Sequence, residues 1–360
     1  MAEAASPCEN PHMVAHVTFR SAGAQRLACA LPAVITSLYF AALLRFGAFA
    51  LATRAHFAAT YLYLAMRRGP PRPRQRATVT PPAGTTYVFI VPVYLEDHDI
   101  VAVTLQQLAS HPAASSYVVV LSVEASRLQK QPGARKGVVA WSTQFGGRFR
   151  HLEVTHHELA SPEAAGKASN VACGLCGAQR ALQQLGVAPA SAMATVLDAD
   201  NRLNAAYVDS AASLVFAAPE DRPVLTHGSC VIDGDSTGLV SAMDGLWLST
   251  VSMHAWRFTP CNFPQSVYSL RCDVLLATGV DVGALGMAED AITSIRAHFR
   301  KNADSIQLAG ASFYASPCPD VATRLTQMKR HQYGVTIASH ALVAWLARPS
   351  PRHLVCLMQV

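Results

Sequence analysis

The segment ATVLDADNRL, residues 194–203, sets Asp198 and Asp200 on either side of one alanine, where an apolar run stops. If that run ends a strand, side chains alternate faces with period two, so both carboxylates point one way and Ala199 turns aside. Carboxylates held a few ångströms apart repel unless a cation or a shared proton lies between them. A hard divalent ion, Mg²⁺ or Mn²⁺, takes oxygen ligands and shares them with substrate phosphates, so Asp200 with Asp198 beside it makes a candidate metal site. The plainer alternative is an acidic turn that caps the next element.

Other residues of chemical interest sit at similar junctions. Glu124 ends the apolar run YVVVLSVE, and Glu96 lies in the turn after FIVPVY. Lys167 and Asn170 open a helical stretch in GKASNVA, and Glu289 and Asp290 open the amphipathic MAEDAITSIRAHF. Acids in a first helical turn are also ordinary partners of the helix dipole, and a lysine there is also an ordinary solvated cation. Cys173 and Cys176 form a CxxC pair. Redox use of such a pair calls for a thioredoxin-like context, whereas small residues around this one suit the start of a closely packed helix.

These groups need elements to hold them. YVFIVPVY and YVVVLSVE are continuous β-rich runs of the kind buried on both faces of a parallel sheet, with a helix expected over 98–110 between them. ATVLDAD is a third such strand and PVLTHGSCVI a fourth, which predicts an open α/β sheet with helices on both sides. Ligands of such sheets bind beyond the carboxyl ends of the strands, where Glu124, Asp198 and Asp200 fall.

The 360-residue chain carries a net charge of +6, unevenly spread. Residues 1–80 hold nine arginines and two acids, a net of +7, and the remainder nets −1. The basic balance belongs to the N-terminal arm, so nothing in the main domain points to nucleic acid. Nine scattered cysteines make no disulfide framework, which favours a reducing compartment. After a tail over 1–26, residues 27–44 run 18 positions without charge, about 27 Å as a helix, the lower limit for a membrane span. With the largely apolar 46–66 they predict a membrane anchor of one or two helices over 27–66. A linker over 67–86 follows, with five arginines and three prolines between 67 and 76. Arginines beside a span favour the cytosolic side, so the domain after the linker is expected there.

In order and spacing, FIVPVYLED, EAAGKASNVA, LDADN, MAEDAITSIRAHF and RLTQMKRHQYG resemble the family 2 glycosyltransferases of the GT-A fold, in particular their membrane-bound, synthase-like members. The likeness spans about residues 87–335. It implies an α/β fold with a mixed, mainly parallel sheet and transfer of a sugar from a nucleoside-diphosphate sugar, a UDP-sugar first, to an acceptor hydroxyl with inversion. The acceptor would be a glycan, lipid or protein. By the same resemblance Asp198 and Asp200 match the DxD motif that binds the metal and the diphosphate. Asp290, with Glu289 beside it, matches the catalytic-base ED motif. Glu96, Glu124, Lys167 and Asp198 fall on the nucleotide-sugar side. Gln327, Arg330 and His331 fall where a QxxRW motif contacts diphosphate and acceptor, and Arg271 with the Gly279 turn falls in the acceptor-side segment.

The chain departs from the pattern in three places: His331 replaces the tryptophan, Glu124 the usual aspartate, and YLED the usual asparagine–acid pair. The 13-residue apolar run 335–347, which leads into the short segment 336–360, is too short to span, so a polysaccharide-extruding channel is not expected of this chain alone. The rival readings are an inactive glycosyltransferase-like membrane protein and a thiol oxidoreductase using Cys173 and Cys176.

Overall fold

A computed structural model describes residues 81–126 except 95, 132–232 except 161, 162 and 164, then 264, 266–280, 289–315 and 322. The chain divides into two units, and all described residues lie in one of them. The expected membrane anchor over 27–66, most of the linker, the segment 336–360, and Gln327, Arg330 and His331 lie outside the described residues. Among the described residues no helix is long and apolar enough to cross a membrane.

The two apolar runs are strands β1 (Thr86–Val93) and β2 (Tyr117–Glu124), and every residue of each is buried. Their alternation feeds two separate cores. Phe89, Val91, Val119 and Leu121 join one apolar cluster, and Val88, Ile90, Val118 and Val120 join the other on the opposite face. Each such side chain contributes about 1.5–3 kcal/mol when fully buried, so a strand apolar on both faces is stable only between two helical layers.

Helix α1 (His98–Ala109) follows β1 and buries Val101, Thr104, Leu105 and Leu108 at helical spacing. After β2 come α2 (Pro132–Phe145), which buries Trp141 and Phe145 in the first cluster, and β3 (His151–His157). Helix α3 (Lys167–Gln184) covers the opposite face and leads to β4 (Ala192–Val196). The short β5 (Arg202–Leu203), α4 (Ala205–Ala217) and β6 (Val224–Ile232) follow. Then come β7 (Tyr268–Arg271), α5 (Cys272–Thr278), α6 (Glu289–Lys301) and β8 (Asp304–Ala315).

The strands form one eight-stranded sheet in the order β3-β2-β1-β4-β7-β6-β8-β5. The half β3-β2-β1-β4 is parallel throughout. Beyond it β7 runs antiparallel to both β4 and β6, while β6 and β8 are parallel and β5 is antiparallel to β8. The sheet is therefore mixed, with its parallel half ahead of the acidic turn and its antiparallel pairings after it. The register through Thr195, Ser269 and Thr226 sets the end of β4 level with the start of β6.

Glycines bring α3 against this sheet. A Cβ on Gly174 would lie 2.6 Å from Ile90 Cγ2, and one on Gly177 would lie 2.6 Å from Thr155 Cγ2 and 2.9 Å from Val120 Cγ1. The small residues of ACGLCGA are thus packing residues, and Cys173 and Cys176 are each only 8% exposed within the same helix. That burial disfavours the exposed, electropositive setting in which a reactive thiol works.

Candidate active site

Strand β4 stops at Val196, two residues short of the first aspartate. Leu197 still donates its N–H to Ile90 O at 3.0 Å, and then Asn201 N–H closes a tight turn on Asp198 O at 3.0 Å. Strand alternation is therefore not what orients Asp198 and Asp200. The turn does so, by tucking Ala199, 1% exposed, into the core and leaving a half-buried carboxylate on each side. Burial raises the Asp200 carboxyl to about 6, and Asp198 and Glu96 add like-charge repulsion; a hydrogen bond from its own backbone and the charge of Lys167 pull the other way. Glu96 is fixed in the turn after β1, where its Oε2 accepts Tyr94 N–H at 2.6 Å.

Lys167 is the first residue of α3, and its ammonium joins three segments. Nζ lies 2.7 Å from Asp198 Oδ1 and 3.1 Å from Glu289 Oε1, and donates to Ser266 O at 3.1 Å. Burial disfavours its charge, but the carboxylates of Asp198, Glu289 and Asp290 outweigh that and hold its pKa well above the ordinary lysine value. Glu289 is 3% exposed, and burial pushes its carboxyl up to about 8 against the pull of Lys167. Lys167 thus bridges a half-buried carboxyl, Asp198, and a fully buried one, Glu289.

Asp290 has different partners. Oδ2 accepts Ser266 N–H at 2.9 Å and Oδ1 accepts Ala291 N–H at 2.8 Å. One carboxylate of the adjacent pair is held by backbone donors and half exposed, while the other is sealed against the lysine. Ser266 itself has φ of 60°, the left-handed region that non-glycine residues seldom occupy. Its backbone is gripped from both ends, by Lys167 at the carbonyl and Asp290 at the amide, which is how such a conformation persists. His227 on β6 is 4% exposed; burial lowers it to about 4, against a backbone hydrogen bond at Gly228 and the charge of Asp290.

At the end of β2, Glu124 is 2% exposed, and Ser126 donates its hydroxyl to Oε1. Its Oε2 is buried and has no protein partner among the described residues. Next to it in the ladder, His157 at the end of β3 contacts Asn170 Oδ1 at 3.2 Å and Glu163 Oε2 at 2.9 Å. Asn170 in turn donates to Val93 O at 3.4 Å. The carboxyl ends of β1 and β3, which flank β2, are therefore stitched to the start of α3, the helix that carries Lys167.

Of the sequence candidates, Asp198, Lys167, Glu289 and Asp290 come together around one ammonium and one serine, with Asp200 and Glu96 beside Asp198. Glu124 stands two strands away at the same edge of the sheet. Arg271 ends β7 in a two-pronged pair with Asp273, at 2.6 and 2.9 Å, and not in this cluster. Ser266 was not a candidate, since only its backbone takes part and its type carries no signal. Among the described residues no group of three or more His, Cys, Asp and Glu side chains is arranged to hold a metal alone.

No known family profile matches the sequence, and no curated protein matches it. Solved structures do. The mannosyltransferase PcManGT from Pyrobaculum calidifontis, in complex with GDP-Man and Mn²⁺, is similar at 19% identity with a TM-score of 0.55, over 87% of this chain and 79% of that one. Residues 1–349 of TarS from S. aureus match at 16% identity and a TM-score of 0.41, over 71% of this chain and 65% of that one. Glucosyl-3-phosphoglycerate synthase from Mycobacterium tuberculosis, with Mg²⁺ and UDP, matches at 15% and 0.40, over 71% and 80%. The mannosyltransferase likeness extends over most of both chains, and with it this chain has the GT-A glycosyltransferase fold.

Proposed function

We propose that this chain is a metal-dependent, inverting glycosyltransferase that moves a sugar from a nucleoside-diphosphate sugar to an acceptor hydroxyl. The observation that carries the reading is Lys167, which ties Asp198 of the acidic turn to Glu289 of the α6 start. It brings the metal-and-diphosphate candidates and the base candidate to one place, as the family resemblance requires of them. The mannosyltransferase whose fold the chain shares is described with GDP-Man and Mn²⁺, which supports a nucleotide-sugar donor and a divalent ion here.

The donor set fits such an ion. Asp198 and Asp200 offer only oxygen, and two carboxylates suit an ion that completes its shell with phosphate oxygens and water. Asp198 Oδ1 is engaged by Lys167, which leaves Asp200 as the principal ligand and Asp198 Oδ2 as its neighbour. When bound, the ion would neutralise charge developing on the leaving diphosphate.

The remaining chemistry belongs to the protein. Lys167 supplies a second positive charge next to the diphosphate position. Asp290, held by two N–H donors, accepts the proton of the acceptor hydroxyl as that oxygen attacks the anomeric carbon. Glu289, buried against the ammonium, holds Lys167 in register. A single displacement with one base inverts the anomeric centre, so an α-linked donor yields a β-linked product. Glu124, with a buried acceptor atom to spare, is assigned to the nucleotide, and Gln327, Arg330 and His331 to the diphosphate and acceptor side.

We place this domain over 87–335, behind a membrane anchor at 27–66 and on the cytosolic side, from the apolar run and the arginine-rich linker. Sedimentation of the full chain with membranes, released only by detergent, tests the anchor; a full chain that stays in the supernatant removes it. The activity itself is tested by incubating the protein and Mn²⁺ with a panel of UDP- and GDP-sugars and measuring release of the nucleoside diphosphate. Release from at least one donor is expected, and none from any donor would end the proposal.

A further inference from the structure

The acidic turn is gripped from the side by α1, which carries none of the residues assigned above. Thr104, 1% exposed, donates its hydroxyl to Ala199 O at 2.7 Å and lies 3.3 Å from Asn201 O. Those two carbonyls flank Asp200. One turn further along α1, Gln107 donates Nε2 to Leu203 O and accepts Leu203 N–H at 3.2 Å on Oε1, so its amide pairs with Leu203 as a neighbouring strand would. On its other side Leu203 pairs with Phe313 in the sheet. Residues 199–203 are thus fixed at both ends by two side chains of one helix, about 95 residues earlier in the sequence.

Neither contact is explained by ordinary helix needs. A threonine within a helix commonly bonds back to its own preceding turn, whereas Thr104 spends its single O–H on another segment. The carbonyl it holds belongs to the Ala199–Asp200 peptide, whose orientation aims the Asp200 side chain.

We propose that Thr104 is a positioning residue for the metal–diphosphate site: its hydroxyl sets the spacing of Asp198 and Asp200, and Gln107 anchors the turn behind it. The inference rests on the proposed donor-binding role of the two aspartates. Thr104→Val is the sharp perturbation, because it keeps shape and apolar volume and removes only the donor. Thr104→Ser restores the hydroxyl.

The test is calorimetry of UDP and of GDP binding, each with Mn²⁺ and with chelator, to wild type and both variants. Amide hydrogen exchange over residues 198–203 is measured in parallel without ligand. Expected is a loss of about tenfold in Mn²⁺-dependent nucleotide affinity for Thr104→Val, the scale of one buried hydrogen bond. Chelator-insensitive binding should stay unchanged, exchange of 198–203 should be faster, and Thr104→Ser should return both to near wild type. General loosening of the fold would instead weaken binding with and without Mn²⁺ alike, and that outcome overturns the proposal. Unchanged Mn²⁺-dependent affinity in Thr104→Val overturns it too, while leaving the donor reading intact. Failure of the wild-type protein to bind either nucleotide more tightly with Mn²⁺ overturns both.

Discussion

Lys167→Met removes the charge at the centre of the site and keeps the length and most of the apolar volume of the side chain. Three partners lose Nζ: Asp198 Oδ1 at 2.7 Å, Glu289 Oε1 at 3.1 Å and Ser266 O at 3.1 Å. A hydrogen bond to a charged group contributes about 1.5–3 kcal/mol and one to a neutral carbonyl about 1 kcal/mol. Glu289 adds little to the loss, because burial pushes its carboxyl up to about 8 even against the pull of Lys167, so without the lysine it takes up a proton and leaves no bare buried anion. The Lys167 side chain is 26% exposed, so water screens part of the Asp198 attraction. The expected loss is about 2–3 kcal/mol at pH 7, read from the shift of the urea midpoint at constant slope. Ser266 should also be released from one of its two restraints, so Mn²⁺-dependent nucleotide binding should fall with stability. A loss below about 0.5 kcal/mol, with nucleotide binding unchanged, would refute the bridging role given to Lys167.

Three further outcomes are expected. Asp290→Asn should lower sugar transfer by about 10²–10⁴-fold while donor affinity holds, whereas Glu289→Gln, which keeps size and an acceptor oxygen for Lys167, should retain most of the rate; the reverse pattern in paired calorimetry and transfer assays would exchange their roles. Gly177→Ala should destabilise the fold by about 1–3 kcal/mol in urea melts, because its Cβ has no room against Thr155 and Val120. His227 titrates at about 4 when folded against 6.5 when unfolded, so the unfolded chain binds the extra proton between those values and stability falls as pH drops through that window. His227→Gln should remove up to about 3 kcal/mol of that fall, seen as a shallower loss of stability between pH 6.5 and 4 than in wild type.

Strands β1 and β2 of the parallel half are legible in the sequence because both are short, β-rich runs apolar on both faces. Strand β3 is not legible. HLEVTHH lies on the edge of the sheet, where one side of the ladder is open and polar side chains are tolerated. Four-residue β7 and two-residue β5 are too short for any periodicity to register. The acidic turn is legible in type but not in geometry: two aspartates one apart suggest alternation along a strand, while the orienting device is a turn held by Thr104. Glu289 and Asp290 are equivalent by residue type. Only tertiary burial separates them, by giving one the lysine and the other two backbone donors. Ser266 acts through backbone atoms and a left-handed φ, neither of which a serine in FPQSVY announces.

The central claim is that Asp198 and Asp200 form the donor-binding metal site of a glycosyltransferase. Its most direct test is release of nucleoside diphosphate from UDP- and GDP-sugars, by wild type and Asp200→Ala, each in Mn²⁺ and in excess chelator. The account predicts release by wild type in Mn²⁺ alone, abolished by chelator and by Asp200→Ala, with Asp200→Ala still folded by circular dichroism. Release that persists in chelator, or in Asp200→Ala at the wild-type rate, would contradict it.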